Sequence, residues 1–158
     1  SFYSVISNKA RITNMSKILI ATGADHGGFK MKQELIKHLK QFKFEVIDFG
    51  TNDTKPVDYP DYAEPVVTAI QEGKADMGIL VCGSGVGMSI AANRYKGIRA
   101  ALCYDETTAM LSRQHNDANI LVLGGRLTKL TAAKKCVNKF FSTKFEGDRH
   151  SRRIRKIG

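Results

Sequence analysis

A cysteine followed by a glycine-rich turn is the part of this sequence best equipped for chemistry. The segment Cys82–Met88 reads Cys-Gly-Ser-Gly-Val-Gly-Met. It follows an apolar run that predicts a buried strand and precedes a segment that predicts a helix. Backbone amides at the start of a helix bind phosphates and stabilise oxyanions. The segment therefore predicts a thiol beside a binding site for a reacting anion.

The glycine spacing excludes three common motifs. Gly83, Gly85 and Gly87 alternate, which is not the dinucleotide-binding spacing, and no Lys-Ser/Thr pair follows to make a P-loop. Ser84 is not the nucleophile of a hydrolase elbow, because the residues two before and two after it are Cys and Val instead of Gly. Two interpretations stay open. The amides hold an oxyanion, or the glycines make a tight turn that lets a helix pack closely against a strand.

Cys82 has a setting that the other two cysteines lack. The helix terminus and the amides beside it favour a thiolate, which could act as a nucleophile or as a base. A packed core thiol is the alternative. Cys103 and Cys136 are predicted to be inert core residues. The three positions form neither a disulfide framework nor a zinc pattern, which favours a reducing compartment and a cytoplasmic protein.

Several polar residues have both a structural and a functional interpretation. Asp25 and His26 follow the first predicted strand, where Asp25 could cap the next helix or both could face a ligand. His115 ends a predicted helix, where a contact with the helix dipole is a sufficient explanation. Arg149 and Arg153 are four residues apart on one helical face, and they could bind a phosphate or belong to a solvated basic tail.

Strands alternate with helices along the chain. The predicted strands are residues 17–22, 44–47, 77–81, 99–102 and 120–123. A helix follows each of them, and residues 149–157 predict a last, basic helix. This order predicts an α/β fold with a parallel sheet covered on both faces, in which ligands bind at the carboxyl ends of the strands.

Length and charge narrow the class of protein. At 158 residues one domain is expected, and we assign it to residues 17–158. Residues 1–16 are basic and contain no acidic residue, which indicates an upstream extension, a targeting remnant that leaves organellar import open, or sequence added for expression. The net charge of +10 is compatible with nucleic acid, a membrane surface or a small anionic substrate. We expect no nucleic-acid or membrane partner, because no motif for either is present. The lysines of residues 30–43 predict a solvated helix face.

Five blocks of the sequence resemble the type B ribose-5-phosphate isomerases, a family that includes isomerases of six-carbon sugar phosphates. The blocks are Asp25–Gly28, Val57–Pro60, Cys82–Arg94, Ser112–Asn119 and the pair Arg149 and Arg153. The resemblance extends from residue 17 to the C-terminus. It implies a three-layer α/β/α sandwich with a five-stranded parallel, Rossmann-like sheet. It also implies a homodimer or tetramer with the active site at the dimer interface, and no metal or cofactor.

The resemblance implies a role for each matched residue. Cys82 would be the base that moves a proton between C1 and C2 of the sugar through a cis-enediolate, and Asp58 would tune it. Ser84 and His115 would assist opening of the furanose ring. Met88 indicates the cysteine subtype, because relatives that lack the cysteine carry a glutamate there. The residues implied to bind substrate, with the basic ones on its phosphate, are Asp25, His26, Tyr59, Gly83, Gly85, Val86, Gly87, Asn116, Arg126, Arg149 and Arg153.

The expected function is the interconversion of ribose 5-phosphate and ribulose 5-phosphate, a step of the non-oxidative pentose phosphate pathway. Three alternatives stay open. The first is an isomerase of a six-carbon sugar phosphate, such as allose or galactose 6-phosphate. The second is a non-catalytic protein that binds phosphosugars or nucleotides on the same fold and exchanges no proton at C2 with solvent. The third is a nucleic-acid protein, which only the net charge of +10 suggests.

Overall fold

The computed structural model describes residues 18–42 and 44–158, so the predicted extension at residues 1–16 lies outside the described residues. Over this part of the chain, five strands and six helices alternate. The strands are β1 (Leu19–Ala24), β2 (Glu45–Asp48), β3 (Met77–Cys82), β4 (Ala100–Leu102) and β5 (Ile120–Gly124). The helices are α1 (Phe29–Gln41), α2 (Tyr59–Gln71), α3 (Val86–Ala92), α4 (Glu106–Gln114), α5 (Leu130–Ser142) and α6 (Arg149–Ile157).

The strands form one parallel sheet in the order β2-β1-β3-β5-β4. From β1 the chain moves to β2 at one edge of the sheet, and from β3 it moves to β4 and β5 on the other side. The direction of winding therefore reverses between β1 and β3. In such sheets the crevice at the carboxyl ends of those two strands is the usual ligand site. Asp25 follows β1 and Cys82 ends β3, so both predicted site residues lie at this crevice.

Helices cover both faces of the sheet. On one face, side chains of α1, α4 and α5 pack with those of the strands in a core that includes Leu35, Ala109 and Phe140. On the other face, α2 and α3 contribute Val66 and Met88 to a second core. The predicted three-layer sandwich is therefore confirmed. None of the helices over the described residues is long and apolar enough to cross a membrane.

Side chains at the ends of two helices fix how these helices meet the sheet. Helix α3 ends at Ala92 and is followed by Asn93. The Asn93 side chain accepts from the Ala100 amide at 2.8 Å and donates to the Ala100 carbonyl at 2.9 Å, so it bonds the edge strand β4. Asp105 caps the start of α4, since its carboxylate accepts a hydrogen bond from the Thr108 amide at 2.8 Å.

The prediction of a fully solvated lysine face on α1 is wrong at Lys32. This side chain is 1% exposed and its Nζ lies 2.6 Å from Oδ1 of Asp48, at the carboxyl end of β2. The same ammonium lies 5.5 Å from the centre of the Phe29 ring. Lys32 is buried because α1 crosses the end of β2, where the carboxylate compensates its charge.

Candidate active site

An open cavity of 440 Å³ lies at the carboxyl edge of the sheet, beside the ends of β1 and β3. It is lined by Asp25, Tyr59, Cys82, Gly83, Ser84, Gly87, Arg126 and Leu127. The fold thus brings together seven of the residues that the sequence singled out, from four separate segments of the chain. Leu127 is the lining residue that the sequence analysis missed, since an exposed leucine after a strand carries no chemical signal.

The glycines of the Cys82 segment support the close-packing interpretation that the sequence left open. Gly85 has φ +84°, and a Cβ there would collide with the Leu102 side chain and lie 3.1 Å from the Leu123 carbonyl oxygen. A Cβ on Gly87 would lie 2.7 Å from the Tyr59 ring. The turn therefore needs glycine for close packing, and the same close packing shapes the cavity.

The loop is anchored by its carbonyl groups. The Cys82 and Gly83 carbonyl oxygens accept hydrogen bonds from the Gly125 and Arg126 amides at 2.8 and 2.9 Å. The Ser84 hydroxyl accepts from the Val86 amide at 3.2 Å. Within residues 18–42 and 44–158, the amides of Gly83, Ser84 and Gly85 donate to no protein acceptor. The loop can therefore offer backbone donors to an anionic oxygen beside Cys82.

The surroundings of Cys82 differ from those of the other cysteines. Cys82 is 4% exposed and lines the cavity. Cys103 and Cys136 are buried in the core beneath α4 and α5, as predicted. Burial raises the pKa of the Cys103 thiol, and it raises the pKa of Cys136 to about 12. Of the three thiols, Cys82 is the one placed to meet a ligand.

Asp25 and His26 are held by hydrogen bonds to the backbone. Oδ1 of Asp25 accepts from the Gly27 and Gly28 amides at 2.9 and 3.1 Å, which fixes the turn between β1 and α1. Nδ1 of His26 accepts from the Val57 amide at 3.1 Å. In the neutral ring the proton is therefore on Nε2, which is left as a donor. His26 lines the neighbouring 420 Å³ cavity, where this arrangement suits an acceptor such as a phosphate oxygen.

Asp58 and Tyr59 face different cavities. Tyr59 lines the Cys82 cavity, whereas Asp58 is exposed and lines a neighbouring 420 Å³ cavity together with His26 and Tyr62. The Asp58 side chain makes no capping hydrogen bond, although Asp58 directly precedes α2. Its implied role in tuning Cys82 stays a prediction.

Four predicted site residues lie away from the Cys82 cavity. His115 directly follows α4, which starts after the carboxyl end of β4, so His115 lies at the amino edge of the sheet. Asn116 lines a separate 320 Å³ cavity. Arg149 and Arg153 are exposed on α6. One chain therefore holds two groups of candidate residues at opposite ends of the sheet.

The second group contains two residues that the sequence analysis missed. The rings of His115 and His150 stack with their centres 4.5 Å apart and their planes 14° apart, and Nε2 of His150 lies 3.8 Å from Oε2 of Glu146. Burial lowers the pKa of His150, and the positive charge of Arg149 lowers it further. His150 stands inside the Arg149 to Arg153 segment and could have been noticed there, whereas no local signal marked Glu146.

Comparison with known proteins identifies the family of this chain. A family model described as Ribose/Galactose Isomerase matches residues 20–157. The chain belongs to this family. The predicted family resemblance is therefore confirmed, and the chain is a sugar-phosphate isomerase by descent.

Individual members of the Ribose/Galactose Isomerase family match the chain over most of their length. Ribose-5-phosphate isomerase B of Escherichia coli K12 is 48% identical over 138 residues, which are 87% of this chain and 93% of that protein. A ribose 5-phosphate isomerase structure from Thermotoga maritima is 53% identical with a TM-score of 0.88, over 90% of this chain and 98% of the other. A Mycoplasma genitalium structure of ribose-5-phosphate isomerase B with bound ribulose-5-phosphate is 43% identical with a TM-score of 0.86, over 89% and 93% of the two chains.

Proposed function

We propose that this chain interconverts ribose 5-phosphate and ribulose 5-phosphate, with the Cys82 thiolate as the base. The observation that carries the proposal is the placement of a cavity-lining thiol beside three backbone amides with no protein acceptor among the described residues. Proton transfer next to a carbonyl needs both parts, a base and donors for the oxygen that becomes negative.

The reaction balances with these groups alone. In the open-chain aldose, the thiolate takes the proton from C2, and the electron pair of that C–H bond forms the C1–C2 double bond. The carbonyl oxygen on C1 becomes an oxyanion, which the amides of Gly83, Ser84 and Gly85 stabilise. The proton of the C2 hydroxyl moves to the C1 oxygen, and the thiol returns its proton to C1 to give the ketose.

The rest of the Cys82 cavity suits a phosphorylated sugar. The unbonded Asp25 oxygen can accept from a sugar hydroxyl, while Oδ1 stays bound to the Gly27 and Gly28 amides. A Cβ on Gly27 would lie 3.3 Å from Cζ of Arg126, so the guanidinium packs over the residue that follows His26. Arg126 and His26 therefore supply neighbouring donors for the phosphate. Binding energy from the phosphate positions C1 and C2 at the thiol.

We further propose a homodimer, or a tetramer built from it, in which a second copy supplies His115, Asn116, Arg149 and Arg153 to the site. These residues lie at the opposite end of the sheet from Cys82 in their own chain. Large apolar side chains also remain exposed around the Cys82 cavity, as a subunit interface would require. They are Tyr59, Val86, Ile90, Tyr104 and Leu127. We place this enzyme in the cytoplasm, because its three cysteines are unpaired.

A substrate assay on Cys82→Ala tests the base assignment. We expect turnover of ribose 5-phosphate and exchange of the C2 proton with solvent to be lost together, while substrate binding is retained. Cys136→Ala is the matched control, because that thiol is buried in the core away from the cavity. Nearly full turnover by Cys82→Ala would disprove the role of the thiol. Retained binding without proton exchange in the unmodified chain would favour the non-catalytic alternative.

Mixing two inactive variants tests the shared site. In a hybrid dimer of Cys82→Ala and His115→Asn chains, one of the two sites carries an intact Cys82 and an intact His115. In an equal mixture with random exchange of subunits, about half of the dimers are hybrids, and each hybrid has one intact site of two. The mixture should therefore reach about one quarter of the activity of the same concentration of unmodified enzyme. Activity that never exceeds the sum of the separate variants would refute the dimer proposal.

The family description also covers galactose, so a six-carbon substrate is a second candidate. The ratio of kcat/KM on ribose 5-phosphate to that on allose or galactose 6-phosphate decides between them. A ratio well above one supports ribose 5-phosphate as the substrate. A ratio well below one would instead assign a six-carbon sugar phosphate.

A further inference from the structure

Tyr104 reaches the amide loop from the end of the edge strand β4. Its hydroxyl donates a hydrogen bond to the Ser84 carbonyl oxygen at 3.2 Å, and 20 positions of the sequence separate the two residues. The side chain is 47% exposed, so no core holds the ring in this position. The isomerase chemistry proposed above assigns no role to the Tyr104 hydroxyl.

Each free amide of the loop belongs to a peptide group whose carbonyl oxygen accepts a hydrogen bond. A peptide group is planar and trans, so its carbonyl and its amide point in opposite directions. The Cys82 carbonyl accepts from the Gly125 amide, which fixes the direction of the Gly83 amide. The Gly83 carbonyl accepts from the Arg126 amide, which fixes the direction of the Ser84 amide. The first two amides are thus oriented by the backbone alone.

The third peptide group, between Ser84 and Gly85, is held by a side chain instead. Among the described residues, no backbone amide donates to the Ser84 carbonyl, and the Tyr104 hydroxyl is its hydrogen-bond donor. Gly85 carries no side chain that would restrict rotation of this group, and its φ is +84°. The direction of the Gly85 amide therefore depends on Tyr104.

The backbone at Tyr104 is fixed on both sides. The Cys103 amide donates to the Val122 carbonyl at 3.1 Å, which ties the residue before Tyr104 to β5. The residue after it, Asp105, caps α4 by accepting from the Thr108 amide at 2.8 Å. A tyrosine side chain has only two rotatable torsions, so little freedom is lost when its hydroxyl forms a bond. Tyr104 is therefore a stiff support for the loop.

We propose that Tyr104 is a positioning residue for the isomerisation, an inference that rests on the proposed function. Its hydroxyl holds the peptide group between Ser84 and Gly85 so that the Gly85 amide points at the oxyanion on C1. An oxyanion donor is most effective when it is aligned before the charge develops. Tyr104 is not among the residues that line the Cys82 cavity, so it acts through this amide.

Tyr104→Phe tests the role, because it removes the hydroxyl and keeps the ring. We expect kcat for ribose 5-phosphate to fall about three- to tenfold, the effect of one neutral hydrogen bond. KM should stay unchanged, because the phosphate is bound by other residues. Urea unfolding should stay close to that of the unmodified chain, since water replaces the lost donor at an exposed carbonyl.

Tyr95→Phe is the matched control. Tyr95 is half-buried beyond the other end of α3, and its hydroxyl bonds no other residue of the described chain. Two further measurements separate positioning from other roles. In NMR spectra, the Gly85 amide resonance should shift in Tyr104→Phe and keep its place in Tyr95→Phe. The pH profile of kcat should keep its shape in Tyr104→Phe, because Tyr104 transfers no proton.

Tyr104 also belongs to the apolar surface proposed for subunit contact, so kcat is measured over a range of protein concentrations. The loss should be the same throughout. A kcat that recovers at high concentration would mean that the variant weakens association, and it would overturn the positioning role. An unchanged kcat, an unshifted Gly85 resonance or a pH profile of altered shape would also overturn it. An unmodified chain that isomerises no sugar phosphate would instead refute the proposed function.

Discussion

Replacing Gly85 with alanine tests the geometry of the amide loop with a single methyl group. Gly85 has φ +84°, and a Cβ there collides with the Leu102 side chain and lies 3.1 Å from the carbonyl oxygen of Leu123. Gly73 has φ +73° but meets nothing within 4 Å of a Cβ. Gly73→Ala therefore reports the backbone cost alone, whereas Gly85→Ala adds the cost of inserting a methyl group into packed surroundings.

The structure sets the expected size of the two effects. A side chain in the left-handed region lowers the free energy of unfolding by about 1–2 kcal/mol. Alanine also makes the unfolded chain stiffer than glycine does, which offsets about 0.4–1 kcal/mol of that loss. Gly73→Ala should therefore lower the free energy of unfolding by about 1 kcal/mol. Overpacking adds roughly 1–3 kcal/mol at Gly85, because a backbone carbonyl cannot yield as a side chain can. The total for Gly85→Ala is about 2–4 kcal/mol.

Urea unfolding at equal protein concentration measures both free energies, since an oligomer's stability depends on concentration. In the isomerase assay, Gly85→Ala should also lower kcat by about 10²-fold, the usual effect of displacing one oxyanion donor. Gly73→Ala should keep the kcat of the unmodified chain, because Gly73 lies between α2 and the start of β3, at the opposite edge of the sheet from the loop. Equal stability and equal kcat for the two variants would refute the assigned loop geometry.

Two further predictions concern charge. Arg149→Gln should raise KM for ribose 5-phosphate while leaving kcat nearly unchanged, and steady-state kinetics should show no such change for the neighbouring exposed Arg152→Gln. Asp48→Asn should lower the free energy of unfolding by about 3–5 kcal/mol, because it leaves the buried ammonium of Lys32 without its carboxylate. Lys32→Met should cost less in the same urea titration, because Asp48 is 33% exposed and keeps its hydrogen bond from the Gly50 amide. The reverse order would contradict this account of the pair.

The sequence predicts the layers and the Cys82 cavity because both follow from short-range patterns. Each strand is a run of apolar residues, and each helix carries its apolar residues at helical spacing. Parallel strands then place their carboxyl ends at one edge of the sheet, so Asp25 and Cys82 line one cavity there although they are 57 positions apart in the sequence. The sequence did not predict the order of the strands. That order places Asp25 and Cys82 on either side of the point where the winding reverses.

Contacts between distant segments are what the sequence could not reveal. The burial of Lys32 depends on the position of β2 beside β1, which brings Asp48 under α1. The stack of His115 on His150 depends on the bond between the Glu146 amide and the Gln114 carbonyl. Neither contact leaves a periodic signal, because each joins single residues from elements whose packing is set by the whole fold.

The two groups of candidate residues cannot meet within one chain, and the reason is the length of the sheet. Cys82 lies at the carboxyl edge, beside Gly124 at the end of β5. His115 precedes β5, whose five residues span about 16 Å at 3.3 Å per residue. Side chains that far apart cannot both contact the carbonyl end of one pentose. Since a rigid sheet fixes this separation, a site that uses both groups has to be assembled between chains. The proposed roles of the two groups therefore make subunit association a condition for catalysis.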